Sequence, residues 1–103
     1  MDKNELTEWA LANGWQMASD YPSLMKPPAF RDAIVRIVAK ATMASVEIKK
    51  PAGKWEKVSS ANYKEMAVDP DSGVPSGLGF DTIQGLSSLM RDNKDRMVFA
   101  KKP

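Results

Sequence analysis

The run FRDAIVRIVAKATMASVEIKK, residues Phe30–Lys50, admits two readings, and the choice between them decides the fold. At helical spacing, Phe30, Ile34, Ile37, Val38 and Ala41 share a face with Asp32, Arg36 and Lys40 opposite, an amphipathic pattern. As strands, Ala33–Ala39 is rich in β-branched residues and Met43–Lys49 alternates from Val46 onward. β-Branched side chains lose rotamer freedom in a helix and pack well on a pleated surface, so strands are preferred. No glycine marks the junction near Lys40, and one long bent strand stands as the alternative to two.

Reading outward, Pro51-Ala52-Gly53-Lys54 is the clearest turn and joins this region to Trp55–Val58. There Trp55 and Lys57 face one side and Glu56 and Val58 the other, giving a basic hairpin tip with a tryptophan at its base. A short strand is expected over Glu65–Val68, and Asp69–Gly77 is a loop dense in turn-forming residues. Upstream, Trp15–Ala18 and Ser23–Lys26 form a hairpin through Ser19-Asp20-Tyr21-Pro22. Pro27-Pro28 closes it, because two adjacent residues without an N–H suit a connection or an edge.

Both ends predict helices. Asp2 and Glu5 have capping-box spacing, Leu6, Trp9 and Ala10 form a narrow docking stripe, and Asn13-Gly14 is the stop, with Trp15 folding back. Asp81 and Gln84 repeat the capping-box spacing before Ile83, Leu86, Leu89 and Met90. The charged run Arg91–Arg96 is expected to end that helix, and Met97–Ala100 to form a final strand. The expected fold is α+β: a small antiparallel sheet of about four to six strands with an N-terminal and a C-terminal helix packed on it. Residues 1–103 are short enough for one domain and long enough for a core without disulfide or metal staples.

The chain contains no histidine and no cysteine. Imidazole and thiolate are the groups most easily poised near neutral pH, so zinc sites, cysteine nucleophiles and histidine acid–base steps are unavailable. The expectation is a non-catalytic protein with no cofactor and no metal. Asp69-Pro70-Asp71-Ser72-Gly73 resembles the opening of a calcium loop, but the twelfth position falls on Phe80 where a bidentate acid is needed. Ser23-Leu24-Met25-Lys26 has the serine–lysine spacing of penicillin-recognising enzymes without their partner motif. Gly73, Gly77 and Gly79 precede a helix as in phosphate-binding loops, yet the lysine is missing and Asp81 would repel an anion. With no apolar run of spanning length and no basic-then-apolar start, the chain is expected to be cytoplasmic and to avoid membranes.

Net charge is +2, unevenly placed. From Phe30 to Lys64 eight basic residues stand against three acids, so any electrostatic footprint lies in the middle third. Trp55 among Lys49, Lys50, Lys54 and Lys57 has the aromatic–lysine interleaving with which single-strand binders stack bases and neutralise phosphates. The same region could anchor a protein partner, since aromatic and arginine side chains dominate binding hot spots. The candidate partner-binding residues are Arg31, Arg36, Lys49, Lys50, Lys54, Trp55, Lys57, Tyr63 and Lys64.

Asn13-Gly14-Trp15, Leu24-Met25-Lys26, Val35-Arg36-Ile37, Trp55–Val58 and Tyr63-Lys64 together resemble small bacterial proteins carried by prophages and other mobile elements. That resemblance implies an accessory factor that binds and modulates or inhibits a host or phage protein complex. Gly77-Leu78-Gly79-Phe80-Asp81 leading into Leu86 and Leu89, after the basic strand Val46–Lys50, resembles the ending of the positive cofactor four family of single-stranded-DNA binders. That family would imply a curved sheet, a helix-mediated homodimer and nucleic acid across basic strands. The leading expectation is a protein-binding accessory factor, with single-stranded nucleic-acid binding as the alternative.

Overall fold

In the computed structural model, which describes the backbone of residues 1–101 and the side chains of residues 1–96, Phe30–Lys50 supplies two adjacent strands. In chain order the elements are α1 (Lys3–Ala12), β1 (Gln16–Ala18), β2 (Tyr21–Met25), β3 (Ala33–Ala39), β4 (Met43–Lys49), β5 (Trp55–Asn62) and α2 (Leu86–Lys101). Single 3-10 turns occur at Tyr63–Glu65 and Phe80–Thr82. The five strands form one antiparallel meander in the order β1-β2-β3-β4-β5. Every connection joins neighbours, which is what short loops between consecutive strands produce. The expected α+β sheet with a helix at each end is therefore the observed fold.

Register explains why helical and strand spacing competed in the deciding run. Val35 and Ile37 pair with Ile48 and Val46, and Leu24, Ala44 and Ala61 fall on the same face, all buried except the half-buried Ile48. Leu6 and Ala10 of α1, Trp15, Leu78, Phe80 and Leu86 of α2 complete this core, so the helices cover that face. Each large apolar side chain buried there contributes roughly 1.5–3 kcal/mol relative to exposure. Arg36 and Val38 point to the opposite face, yet Val38 is also buried, so both faces of β3 are lined by sheltered residues.

Turn chemistry fixes the rest. Ser19 and Asp20 both have positive φ, the conformation of a two-residue hairpin turn whose twist matches the flanking strands. Tyr21 and Pro22 consequently belong to β2, where the sequence suggested a four-residue turn. Asp2 accepts from the Glu5 backbone N–H at 2.9 Å and starts α1, while Gly14, at φ +94°, follows its end. Trp15 then packs against Trp9, ring centroids 6.4 Å apart, and Phe80 stacks on Trp9 at 5.6 Å.

Three expected elements differ. Glu65–Val68 is not a strand: Glu65 closes the Tyr63–Glu65 3-10 turn and Val68 makes a lone bridge with Pro75, while the Ala67 carbonyl accepts from the Ser76 N–H of the following loop and not from the sheet. The capping box at Asp81 does not start the C-terminal helix: Gly85, at φ +79°, interrupts the helical path and α2 begins at Leu86. The run Arg91–Arg96 does not end α2, and Met97–Ala100 continues it as helix, not as a strand. Neither glycine nor proline occurs between Leu86 and Lys102, and charge alone does not stop a helix.

Candidate functional site

The sheet face opposite the helices carries an arginine held between two aromatic rings. Strand alternation puts Ser23, Arg36, Glu47 and Lys57 in one row, each opposite the next across β2, β3, β4 and β5. Keeping Lys57 in that row requires the register shift between Val46 and Glu47, which makes Val58 an extra residue on β5. Without that bulge, Trp55 and Lys57 would turn to the helix side.

Within the row, Arg36 Nε donates to Glu47 Oε1 at 2.7 Å and its Nη2 lies 2.6 Å from the same oxygen. The guanidinium carbon sits 4.1 Å from the Trp55 ring centroid and 4.9 Å from that of Tyr21. Arg36 and Glu47 side chains are 22% and 19% exposed, enough to be touched and sheltered enough to stay ordered. Cation–π contacts of this kind contribute about 0.5–2 kcal/mol each, more as water is excluded. The small residues Ser23 and Ser45 lie buried on the same face, so the large side chains stand above a low floor. The arrangement offers aromatic area, guanidinium donors beyond those used by Glu47, and no nucleophile paired with a base.

The candidate residues divide by position. Arg36, Trp55, Lys49 and Lys57 are brought together, with Lys49 opposite Trp55 and Lys57 opposite Glu47 in the pairing. Lys50 is tied to Glu56 at 2.6 Å on the exposed β4–β5 hairpin, and Lys54 lies in its turn. Arg31 is exposed in the β2–β3 connection. Tyr63 and Lys64 lie past the far end of β5, roughly 25 Å from Trp55 along the strand. Tyr63 is buried in the core, donating its hydroxyl to the Lys40 carbonyl, and is corrected from a surface contact to a structural residue. Burial raises its phenol pKa above the ordinary value, and the Asp2 charge adds to the rise. Tyr21 and Glu47 are the members that sequence reading missed. The signal for Tyr21 was the Ser19-Asp20 dipeptide, which can form a turn by itself and return Tyr21 to a strand.

Among the described residues no cluster of three or more acidic groups could hold a metal ion. No helix among them is long and apolar enough to cross a membrane. No family model, no curated protein and no solved structure matches this chain.

Proposed function

We propose that this protein is a non-catalytic accessory factor whose helix-free sheet face docks on a protein in a host or phage complex and modulates or inhibits it. The Tyr21–Arg36–Trp55 stack carries the reading. Tryptophan, tyrosine and arginine are the residues that most often anchor protein interfaces, and they anchor best when their conformation is set before binding. A phage-encoded origin and a cytoplasmic location belong to the same proposal and rest on the sequence resemblance.

The same geometry weighs against single-stranded nucleic acid. Glu47 already neutralises Arg36, and Arg36 already occupies one face of the Trp55 ring, so charge and stacking surface are both partly spent. A strand would have to rely on Lys49, Lys54 and Lys57 around one remaining ring face, with an affinity that falls steeply with salt.

Tagged protein recovered from lysate of its source organism is expected to bring down a stoichiometric partner. The partner should be lost with Trp55→Ala and Arg36→Ala and kept with Lys64→Ala. No partner, or equal retention in all variants, refutes the proposal. A salt-sensitive gel shift of single-stranded oligonucleotides at micromolar protein, weakened by Lys49→Ala and Lys57→Ala, would favour the second reading.

A further inference from the structure

The two edges of the sheet are finished differently. At the β1 edge the pairing lasts three residues, and beyond it the Asn93 amide satisfies the backbone of Met25. At the other edge β5 runs for eight residues, and no backbone–backbone hydrogen bond among the described residues joins it to anything but β4. An unpaired edge of that length is a template for a further strand.

Which groups the edge offers follows from the hydrogen bonds at its two ends. The Lys50 N–H donates to the Lys54 carbonyl and the Tyr63 N–H to the Thr42 carbonyl, so Lys50–Lys54 and Thr42–Tyr63 are bonded pairs. Bonded and non-bonded pairs alternate along an antiparallel ladder. Counted inward along the observed register, Glu56, Ser59 and Ala61 turn their backbone groups to β4, and Trp55, Lys57, Ser60 and Asn62 turn theirs outward. Lys57, Ser60 and Asn62 are exposed. Between Lys57 and Ser60 lies the bulge, which puts two residues where a regular strand has one.

We infer that β5 pairs, antiparallel, with β5 of a second copy of this chain about a twofold axis between Val58 and Ser59. That register sets Trp55 opposite Asn62 of the second copy and Lys57 opposite its Ser60, so every outward residue meets an outward residue and each such pair exchanges two hydrogen bonds. No other twofold antiparallel register matches all four. The bulges coincide at the axis, so both strands carry the extra residue and the added twist at the same point. A foreign strand without a bulge lacks both. A bulge and an edge lysine ordinarily keep strands apart; here they select the one strand that shares them, and Lys57 meets a serine, not a charge. The product is an isologous ten-stranded sheet with both Arg36–Trp55 stacks on one face. Because the pairing uses backbone groups, it stands independently of the proposed docking partner. A single strand edge is smaller than the roughly 800 Å² per partner of a standard interface, so the dimer is weak and forms at high protein concentration.

Sedimentation equilibrium of the whole protein from micromolar to millimolar concentration is expected to show reversible monomer–dimer association. Ser60→Pro removes an outward N–H that β4 does not use, and should keep the parental circular dichroism while weakening the dimer about tenfold or more. Ser60→Glu, set opposite Lys57 of the second copy, should tighten the dimer about fivefold at low salt, and Ser60→Lys should weaken it about as much. The chain has no cysteine, so Lys57→Cys combined with Ser60→Cys should give a disulfide-linked dimer on mild oxidation. Lys57→Cys alone, roughly 10 Å from its counterpart, should link far more slowly. A protein that stays monomeric at millimolar concentration overturns the inference. So does a dimer that a folded Ser60→Pro variant leaves intact or, should that variant fail to fold, one that responds equally to Ser60→Glu and Ser60→Lys.

Discussion

Asn93 grips the backbone of Met25 from both sides: its Oδ1 accepts from the Met25 N–H at 2.9 Å and its Nδ2 donates to the Met25 carbonyl at 3.1 Å. The same Nδ2 reaches the Leu89 carbonyl at 2.9 Å, and the side chain is wholly buried. β1 ends its pairing with β2 at Ser23, so Met25 extends beyond that neighbour. The amide of Asn93 stands where another strand would have been and ties α2 to the sheet.

Asn93→Ala therefore orphans a buried donor and a buried acceptor, each costing about 1–3 kcal/mol, for an expected loss of about 2–6 kcal/mol. In a domain of this size that lowers Tm by at least about 8 °C. Asn93→Leu, which restores the volume without the amide, should recover little of the loss. Recovery to within about 0.5 kcal/mol of the parent in urea unfolding would show that packing, not hydrogen bonding, is the role of Asn93.

Gly14 is held to glycine twice over. Its φ is +94°, and a Cβ there would lie 2.6 Å from the Lys94 backbone nitrogen, in the same turn of α2 as Asn93. Gly14→Ala should cost about 2–5 kcal/mol, combining left-handed strain with overpacking against backbone that cannot swing aside. Gly53, at φ +89° with nothing within 4 Å of the added carbon, isolates the first effect. Gly53→Ala should cost only about 1–2 kcal/mol. Matching denaturation midpoints for the two variants would refute the close approach of α2.

The strands of the meander were legible where β-branching and turn residues agreed, as at Ala33–Ala39 and Pro51–Lys54. The C-terminal half was less so, because Asp81 and Gln84 mark a helix start that the positive φ of Gly85 prevents. The Arg36–Trp55 contact was legible only as two separate candidates. It depends on register, and register depends on an extra residue at Val58 that no local sequence signal announces. Tyr63 looked like a surface aromatic beside a lysine, and its burial follows from a 3-10 turn that drops it beneath Lys40.

Tyr63 also gives the protein an alkaline limit. Burial first, and the Asp2 charge second, push its phenol above the ordinary 10.0. As pH rises past that ordinary value the unfolded chain releases this proton before the folded one does. The folded state then binds more protons, so stability is fully present below pH 10 and falls as pH climbs toward the raised value. Tyr63→Phe should cost about 1 kcal/mol near neutrality through the lost bond to the Lys40 carbonyl. Above pH 10 the difference between parent and variant should shrink. A constant difference in urea midpoints from pH 8 to about pH 11 would mean Tyr63 does not titrate in the folding equilibrium.

The two interactions that hold Arg36 differ in kind, and a pair of double-mutant cycles separates them. Its contact with Glu47 is an ion pair at partial exposure, so the coupling should weaken as salt screens it. Its contact with Trp55 depends on a planar guanidinium lying over a ring at 4.1 Å, so that coupling, about 0.5–2 kcal/mol, should persist in high salt. Arg36→Lys keeps the charge near Glu47 but removes the flat surface, and should lose most of the Trp55 coupling while retaining much of the Glu47 coupling. The measurement is urea unfolding of the single and double alanine variants at Arg36, Glu47 and Trp55, repeated at low and high salt. If the lysine introduced by Arg36→Lys couples to Trp55 as strongly as the native arginine does, the face is set by charge alone and the stacked anchor on which partner recognition is argued does not exist.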